Sequence, residues 1–144
     1  MDLFLICRDA IENSIISNLL MAMEAKKAGT DVGILFTQEA LAAACGEAFD
    51  WSPLLRERER RIGFANVAKE QGLPIYEAPT RRSIAIDTRK LLKEAKAAGV
   101  PMYACPAWTG FLGLRGKLLP ELTEMDHATL LKTIKEAKTI IGSF

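Results

Sequence analysis

The sequence predicts an α/β protein: one domain folded as a three-layer α/β/α sandwich around a mainly parallel sheet. Three observations predict it. Short apolar runs at residues 3–7, 32–36 and 100–105 alternate with longer stretches whose apolar residues recur at helical spacing. Each crossover is long enough to hold a helix, and a strand–helix–strand crossover almost obliges the two strands to be parallel. The chain has 144 residues, the usual size of one domain, with no linker or low-complexity stretch, so residues 1–144 are expected to be a single domain.

Taken in order, Leu3–Cys7 opens the chain as the first strand. Asp9 to Asn13 supplies helix-starting side chains. Ile15, Ile16, Leu19, Leu20 and Met23 then form one apolar helix face, with Gly29 as the stop. Val32–Phe36 is the second strand. Thr37 is a residue type that caps the next helix, Glu39 to about Cys45, which is rich in strong helix formers. Residues 46–52 read as a loop, and Pro53 suits the first turn of a further helix through Leu54 and Leu55 to about Lys69. The charge cluster Arg56 to Arg61 on it reads as a solvated face of i,i+4 pairs, or as an anion- or subunit-facing patch.

Gly72-Leu73-Pro74-Ile75-Tyr76-Glu77-Ala78-Pro79 echoes Gly99-Val100-Pro101-Met102-Tyr103-Ala104-Cys105-Pro106. Both segments are expected to be strands entered from a helix that ends at glycine, with proline at the strand's first residues. Arg81, Arg82 and Ser83 fall in the loop after the first. Asp87 or Thr88 starts the following helix, with Leu91, Leu92 and Ala95 on its buried face and Gly99 as its stop. Beyond Cys105, residues 107–114 turn the chain through a short helix. Asp126 caps the last helix, where Leu130, Leu131, Ile134 and Ala137 are expected to form a buried stripe, and Thr139-Ile140-Ile141 is a final strand.

Composition narrows the function. Apolar residues make up 49% and charged residues 26%, which fits a soluble globular domain. The net charge of +1 gives no argument for nucleic acid or for an anionic membrane. No apolar run approaches the roughly 20 residues that span a bilayer. The start Met1-Asp2-Leu3-Phe4-Leu5-Ile6-Cys7 has no positive leader, and three widely spaced cysteines suit free thiols in a reducing compartment, so a cytoplasmic protein is expected.

Several chemistries lack their residues. No CxxC or HxxxH spacing supports a metal site, and no cofactor is expected. The lone His127, at a helix start, reads as a capping or surface residue, and nothing in the sequence brings it to a nucleophile. The run Gly110-Phe111-Leu112-Gly113-Leu114-Arg115-Gly116-Lys117 looks superficially like a phosphate loop, but its first glycine is misplaced and Leu118 replaces the required Ser or Thr. Arg8-Asp9-Ala10 stands where a dinucleotide fingerprint would need glycines.

The thiols remain. Cys45 sits late in an alanine-rich helix and reads as a small hydrophobe. Cys105 ends a strand, and ligands of open α/β sheets gather outside the carboxyl ends of the strands. A thiol facing a helix N-terminus there loses its proton more readily than a free one. Trp108, Phe111 and Leu112 are expected as an apolar wall beside it, with Arg115 and Lys117 as positive charge. Cys7 ends the first strand, expected to be central in the sheet, and so is a candidate neighbour of Cys105 or else core.

Ala97-Ala98-Gly99-Val100-Pro101-Met102-Tyr103-Ala104-Cys105-Pro106, with Gly110, Gly113 and Leu114 after it, resembles the carboxyl-half signature of the DsrE/DsrF-like family. In that signature a helix ends at glycine, a strand of the form V-x-[IM]-Y-x-C follows, and a small-residue turn comes next. The helix from Asn18 to Gly29 and the strand Asp31-Val32-Gly33-Ile34-Leu35-Phe36-Thr37 resemble the family's first β-α-β unit more loosely. The resemblance implies a flavodoxin-like sandwich that assembles into homo- or hetero-oligomers, often trimers or hexamers, with a homo-oligomer expected here. It also implies sulfur relay, in which the cysteine matching Cys105 takes a persulfide sulfur from a donor protein and passes it to an acceptor protein.

Three functions follow. The first is a sulfurtransferase or persulfide carrier, with Cys105 as the nucleophile and Cys7, Trp108 and Arg115 around its substrate. The second is a peroxiredoxin-like redox thiol protein, which needs Cys7 as the resolving thiol within the subunit. The third is a non-catalytic assembly or small-ligand module, in which Trp108, Phe111 and Leu112 form a contact or a pocket and Cys105 is passive core.

Overall fold

The computed structural model describes residues 1–46, 53, 56–77 and 84–142. Its elements run β1 (Leu3–Cys7), α1 (Glu12–Lys27), β2 (Val32–Phe36), α2 (Gln38–Cys45), α3 (Arg58–Glu70), β3 (Ile75–Glu77), β4 (Ile84–Ile86), α4 (Thr88–Ala97), β5 (Met102–Ala104), α5 (Pro106–Phe111), β6 (Thr123–Glu124), α6 (His127–Glu136) and β7 (Thr139–Gly142). Five strands form one parallel sheet in the order β6-β5-β2-β1-β7, with helices on both faces, so the expected α/β sandwich is borne out. No helix among the described residues is long and apolar enough to cross a membrane.

The middle strand is β2, not β1 as the sequence led us to expect; all five of its residues are buried. Chain order explains the shift: β5 and β6 add outward from β2, and β7 returns to the far side of β1. Successive side chains of a strand point to opposite faces. Leu5, Cys7, Val32, Ile34, Phe36, Met102 and Ala104 therefore enter one core with residues of α1, α2 and α4. Phe4, Leu35 and Cys105 enter a second, smaller core with Leu130, Ile134 and Ala137 around α6.

Helix ends follow the local chemistry. Asp87 caps α4 by accepting the Lys90 N–H at 2.9 Å, and Asp126 caps α6 by accepting that of Thr129 at 2.8 Å. At the far end of α4, Gly99 at φ +78° closes a Schellman turn in which Val100 N–H reaches the Ala95 carbonyl at 3.0 Å. α1 departs from expectation: its N-cap is Ile11, without a side-chain capping bond. Thr37 is the N-cap of α2, but its side chain makes no capping bond either.

Two further expectations are corrected, and the two echoed segments, both strands as expected, take different places. α3 begins at Arg58, with Glu57 as its N-cap, rather than at Pro53; residues 47–52, 54 and 55 lie outside the described residues. The echoed segments share local structure but not tertiary place. Both enter from a helix ending at a positive-φ glycine, Gly72 or Gly99. β5 finds the free edge of β2, whereas β3 pairs antiparallel with β4 in a separate two-stranded sheet. The strand at Ile84–Ile86 went unread because three residues carry too little pattern. Finally, Leu131 does not join a buried stripe: it is 67% exposed, and no residue of α6 is fully buried. Of the charge cluster on and before α3, Arg56 to Arg60 are exposed and Arg60 pairs with Glu57 at 3.4 Å, as a solvated face would. Arg81 and Arg82 lie outside the described residues.

One buried acid ties α1 to α4. Glu12 is only 6% exposed, and its carboxylate accepts the Thr88 hydroxyl at 3.2 Å. Burial pushes its pKa from 4.5 up to about 7; the Thr88 hydrogen bond and the Arg61 charge pull the other way without prevailing. Below about pH 4.5 the carboxyl is neutral whether folded or not. Between pH 4.5 and 7 the unfolded chain ionises first, so this group's contribution to stability falls as pH rises, and above pH 7 the full cost of burying a charge stands. Glu12→Gln keeps the hydrogen bond and removes the titration. In urea unfolding across this range, the stability of the variant relative to the natural chain should rise with pH, by up to ~3 kcal/mol at ~1.4 kcal/mol per pKa unit.

Candidate functional site

Cys105 stands one residue beyond β5, at the carboxyl edge of the sheet. Its N–H donates to the Phe36 carbonyl at 3.0 Å, continuing the β2–β5 ladder by one rung. Its carbonyl then starts α5, accepting both the Thr109 N–H and the Thr109 hydroxyl at 2.8 Å. Cys105 is thus the N-cap of α5, with Pro106 at the first helical position, and its side chain makes no capping bond. The amides of Ala107 and Trp108, in the first turn, have no partner within the helix. The residue is 8% exposed and packs with Phe4 and Leu35.

Trp108 is half-buried and touches both cores; its ring meets Phe111 edge-on at 5.8 Å. Of the expected apolar wall, Phe111 is almost fully in solvent at 79% exposure, and Leu112 is partly so. Arg115 folds back over α5, its guanidinium 3.5 Å from where a Cβ on Gly110 would lie, and pairs with Glu124 on β6 at 3.6 Å. Two shallow grooves of about 340 and 400 Å³ flank Pro106, and Arg115 and His127 line both. Sequence reasoning missed His127 here. The signal lay in topology: β6 runs beside β5, so the start of α6 comes to the end of α5.

Cys7 is not brought to Cys105. Cys7 pairs with Phe36 on one side of β2 while Cys105 bonds the same residue from the other, so two strand spacings, roughly 9–10 Å, separate them. A disulfide needs Cα atoms within about 7 Å. The side chains also point to opposite faces, Cys7 into the large core and Cys105 into the small one. Burial pushes the Cys7 thiol up to about 12; the nearby Asp9 charge adds to this and the Ser14 hydroxyl works against it. Cys45 is half-buried at the end of α2, and burial raises its pKa too. Among the described residues no group of three or more His, Cys, Asp or Glu could hold a metal ion.

With this geometry in hand, comparison with solved structures is informative. The chain has the fold of the YchN protein from E. coli. The TM-score is 0.64, the match covers 99% of this chain and 98% of YchN, and sequence identity is 12%, so the likeness is one of fold. No family model and no curated protein sequence matches the chain.

The contrast between the thiols has a direct consequence. In the folded protein at pH 8, iodoacetamide should leave Cys7 unmodified until urea unfolds the chain, since the side chain is fully buried and burial keeps its thiol protonated. Peptide mass mapping of the alkylated protein reads this out, and rapid labelling of Cys7 without denaturant would contradict the burial described.

Proposed function

We propose that the protein is a DsrE-like sulfur-relay protein that carries sulfur on Cys105. The observation behind this reading is the placement of Cys105 at the carboxyl edge of a parallel sheet, at the N-cap of α5, with the amides of Ala107 and Trp108 unclaimed within the helix. The fold shared with the YchN protein and the strand signature ending in Cys105 support it.

In the proposed step the Cys105 thiolate attacks the outer sulfur of a donor persulfide. The new S–S bond forms on Cys105, the donor S–S bond breaks, and the donor leaves as a thiolate that takes up a proton. An acceptor thiolate then attacks the outer sulfur held on Cys105 and restores the thiol. No net oxidation occurs. The free amides suit the negative charge of the bound persulfide, Trp108 screens it from water, and Arg115 and His127 line the grooves by which donor and acceptor proteins would approach. Cys7, on the opposite face, takes no part. Incubation with glutathione persulfide should add the mass of one sulfur atom to Cys105. Cys105→Ala should abolish the gain and Cys7→Ala should leave it intact; a gain confined to Cys7 or Cys45 would overturn the reading.

The reading includes self-assembly into a trimer or hexamer. Its support is the thin cover on the Cys105 side of the sheet. There α6 has no fully buried residue, and Phe111, Leu131 and Ile140 stand out on α5, α6 and β7. Large apolar side chains exposed on one face suit a contact surface. Light scattering should find an oligomer, and Leu131→Asp, at an exposed position, should shift it toward monomer without lowering the helix content. A natural chain that stays monomeric at high concentration would refute self-assembly.

A further inference from the structure

The two edges of the main sheet are guarded unequally. An edge strand presents a row of unpaired N–H and C=O groups, and native proteins blunt it by keeping it short, charged or covered. The β6 edge follows that rule: the strand is two residues long, Thr123-Glu124, and Glu124 is paired with Arg115. The β7 edge does not. Its four residues, Thr139-Ile140-Ile141-Gly142, include no charge and no proline, and Thr139, Ile140 and Gly142 are exposed. The charge beside it, Lys138, is drawn away to Asp2 at 2.6 Å. Among the described residues, no strand pairs with its outer side.

The ladder shows which groups face outward. The Thr139 N–H donates to the Asp2 carbonyl at 3.0 Å, on the β1 side. Successive residues of a strand turn their backbone groups to opposite sides. Ile141 therefore also faces β1, and the N–H and C=O of Ile140 and Gly142 face the open edge. A second copy, turned by a two-fold axis, fits this spacing. With the strands antiparallel and the two Ile141 residues opposite each other, Ile140 of each copy faces Gly142 of the other. Each such pair exchanges both of its N–H···O bonds, so every outward group of β7 is used. The Ile141 residues form the close, non-hydrogen-bonded pair at the axis, and β-branched residues suit that cross-strand contact. A head-to-tail addition would instead need β6, where two residues and an ion-paired glutamate offer too short a ladder. An isologous contact needs the same patch on both copies, and β7 supplies it.

We infer that β7 is the pairing edge for β7 of a second copy of this chain, antiparallel about a two-fold axis at Ile141, joining the two sheets into one. β2 and β1 stand between this edge and β5, so the contact makes no use of Cys105. It shares with the self-assembly reading only the need for a second copy. It rests on backbone bonds at an edge, not on the apolar face of α5 and α6.

The test cross-links the full chain at the axis. In Ile141→Cys, gentle oxidation should give a covalent dimer whose peptide map shows a 141-to-141 disulfide, because that pair falls within the reach of about 7 Å between Cα atoms. Ile140→Cys should give no 140-to-140 link, since diagonal neighbours stand roughly 7–8 Å apart. Ile140→Pro removes an outward N–H and leaves the β1 ladder intact. In sedimentation it should weaken the dimer roughly thirtyfold, for two net hydrogen bonds lost by symmetry. Ile140→Thr keeps the N–H and should not. Should Ile141→Cys not fold, the sedimentation series decides alone; should Ile140→Pro not fold, Gly142→Pro removes the other outward N–H in its place. A monomeric natural chain would overturn this contact and the self-assembly reading together. An oligomer that forms no 141-to-141 link, or that responds equally to Ile140→Pro and Ile140→Thr, would overturn this contact alone and leave the α5 and α6 face as the interface.

Discussion

The backbone of two adjacent residues, Phe36 and Thr37, fixes both strand-end thiols. The Phe36 carbonyl accepts the Cys105 N–H at 3.0 Å, and the Thr37 N–H donates to the Cys7 carbonyl at 3.0 Å. The end of β2 therefore holds β5 and β1 in register from its two sides. Because the strands are parallel and both cysteines terminate them, the same rungs bring both thiols to one edge of the sheet. The pleat then sends their side chains apart. One hydrogen-bonding pattern thus creates the neighbourhood, and strand alternation decides that the two sulfurs lie in different cores rather than as a pair.

That division follows a broader asymmetry. The face that receives Cys7 is covered by α1, α2 and α4, and its core holds most of the large buried side chains. The face that receives Cys105 is covered chiefly by α6 and the start of α5, and its core cluster holds, among the described residues, three buried hydrophobic side chains, Phe4, Leu35 and Cys105. The cover over Cys105 is thinner than that over Cys7, which is fully buried. The same thinness leaves apolar surface of α5, α6 and β7 in solvent.

Much of the architecture was legible because it rests on local signals. The apolar runs of β1 and β2, the capping aspartates Asp87 and Asp126, and the glycines that end α1 and α4 each act within a few residues, and each appears where the sequence indicated. What was not legible depends on pairing across the chain. Gly72 and Gly99 open nearly identical segments, yet only one reaches the main sheet, because strand choice is settled by which edge is free. Leu131 matches helical periodicity as well as Leu130 does; periodicity shows which side chains share a face but not what covers that face. At the site, Cys105 was legible from its place after a strand. The separation from Cys7 and the arrival of His127 were not, since both follow from strand order.

The choice of cysteine as the cap of α5 carries a physical implication of its own. Ser, Thr, Asp or Asn at an N-cap turns its side-chain oxygen onto the amides of the first turn and satisfies them. Cysteine is a weak acceptor, and here it makes no such bond. The turn is held instead from the other direction, by the Thr109 N–H and hydroxyl converging on the Cys105 carbonyl. The helix is therefore anchored without using its own N-terminal donors. A serine at position 105 could fold the same turn and would consume those donors itself; a sulfur that stays aside leaves them unclaimed within the helix. Folding alone would have been served at least as well by the commoner capping residues.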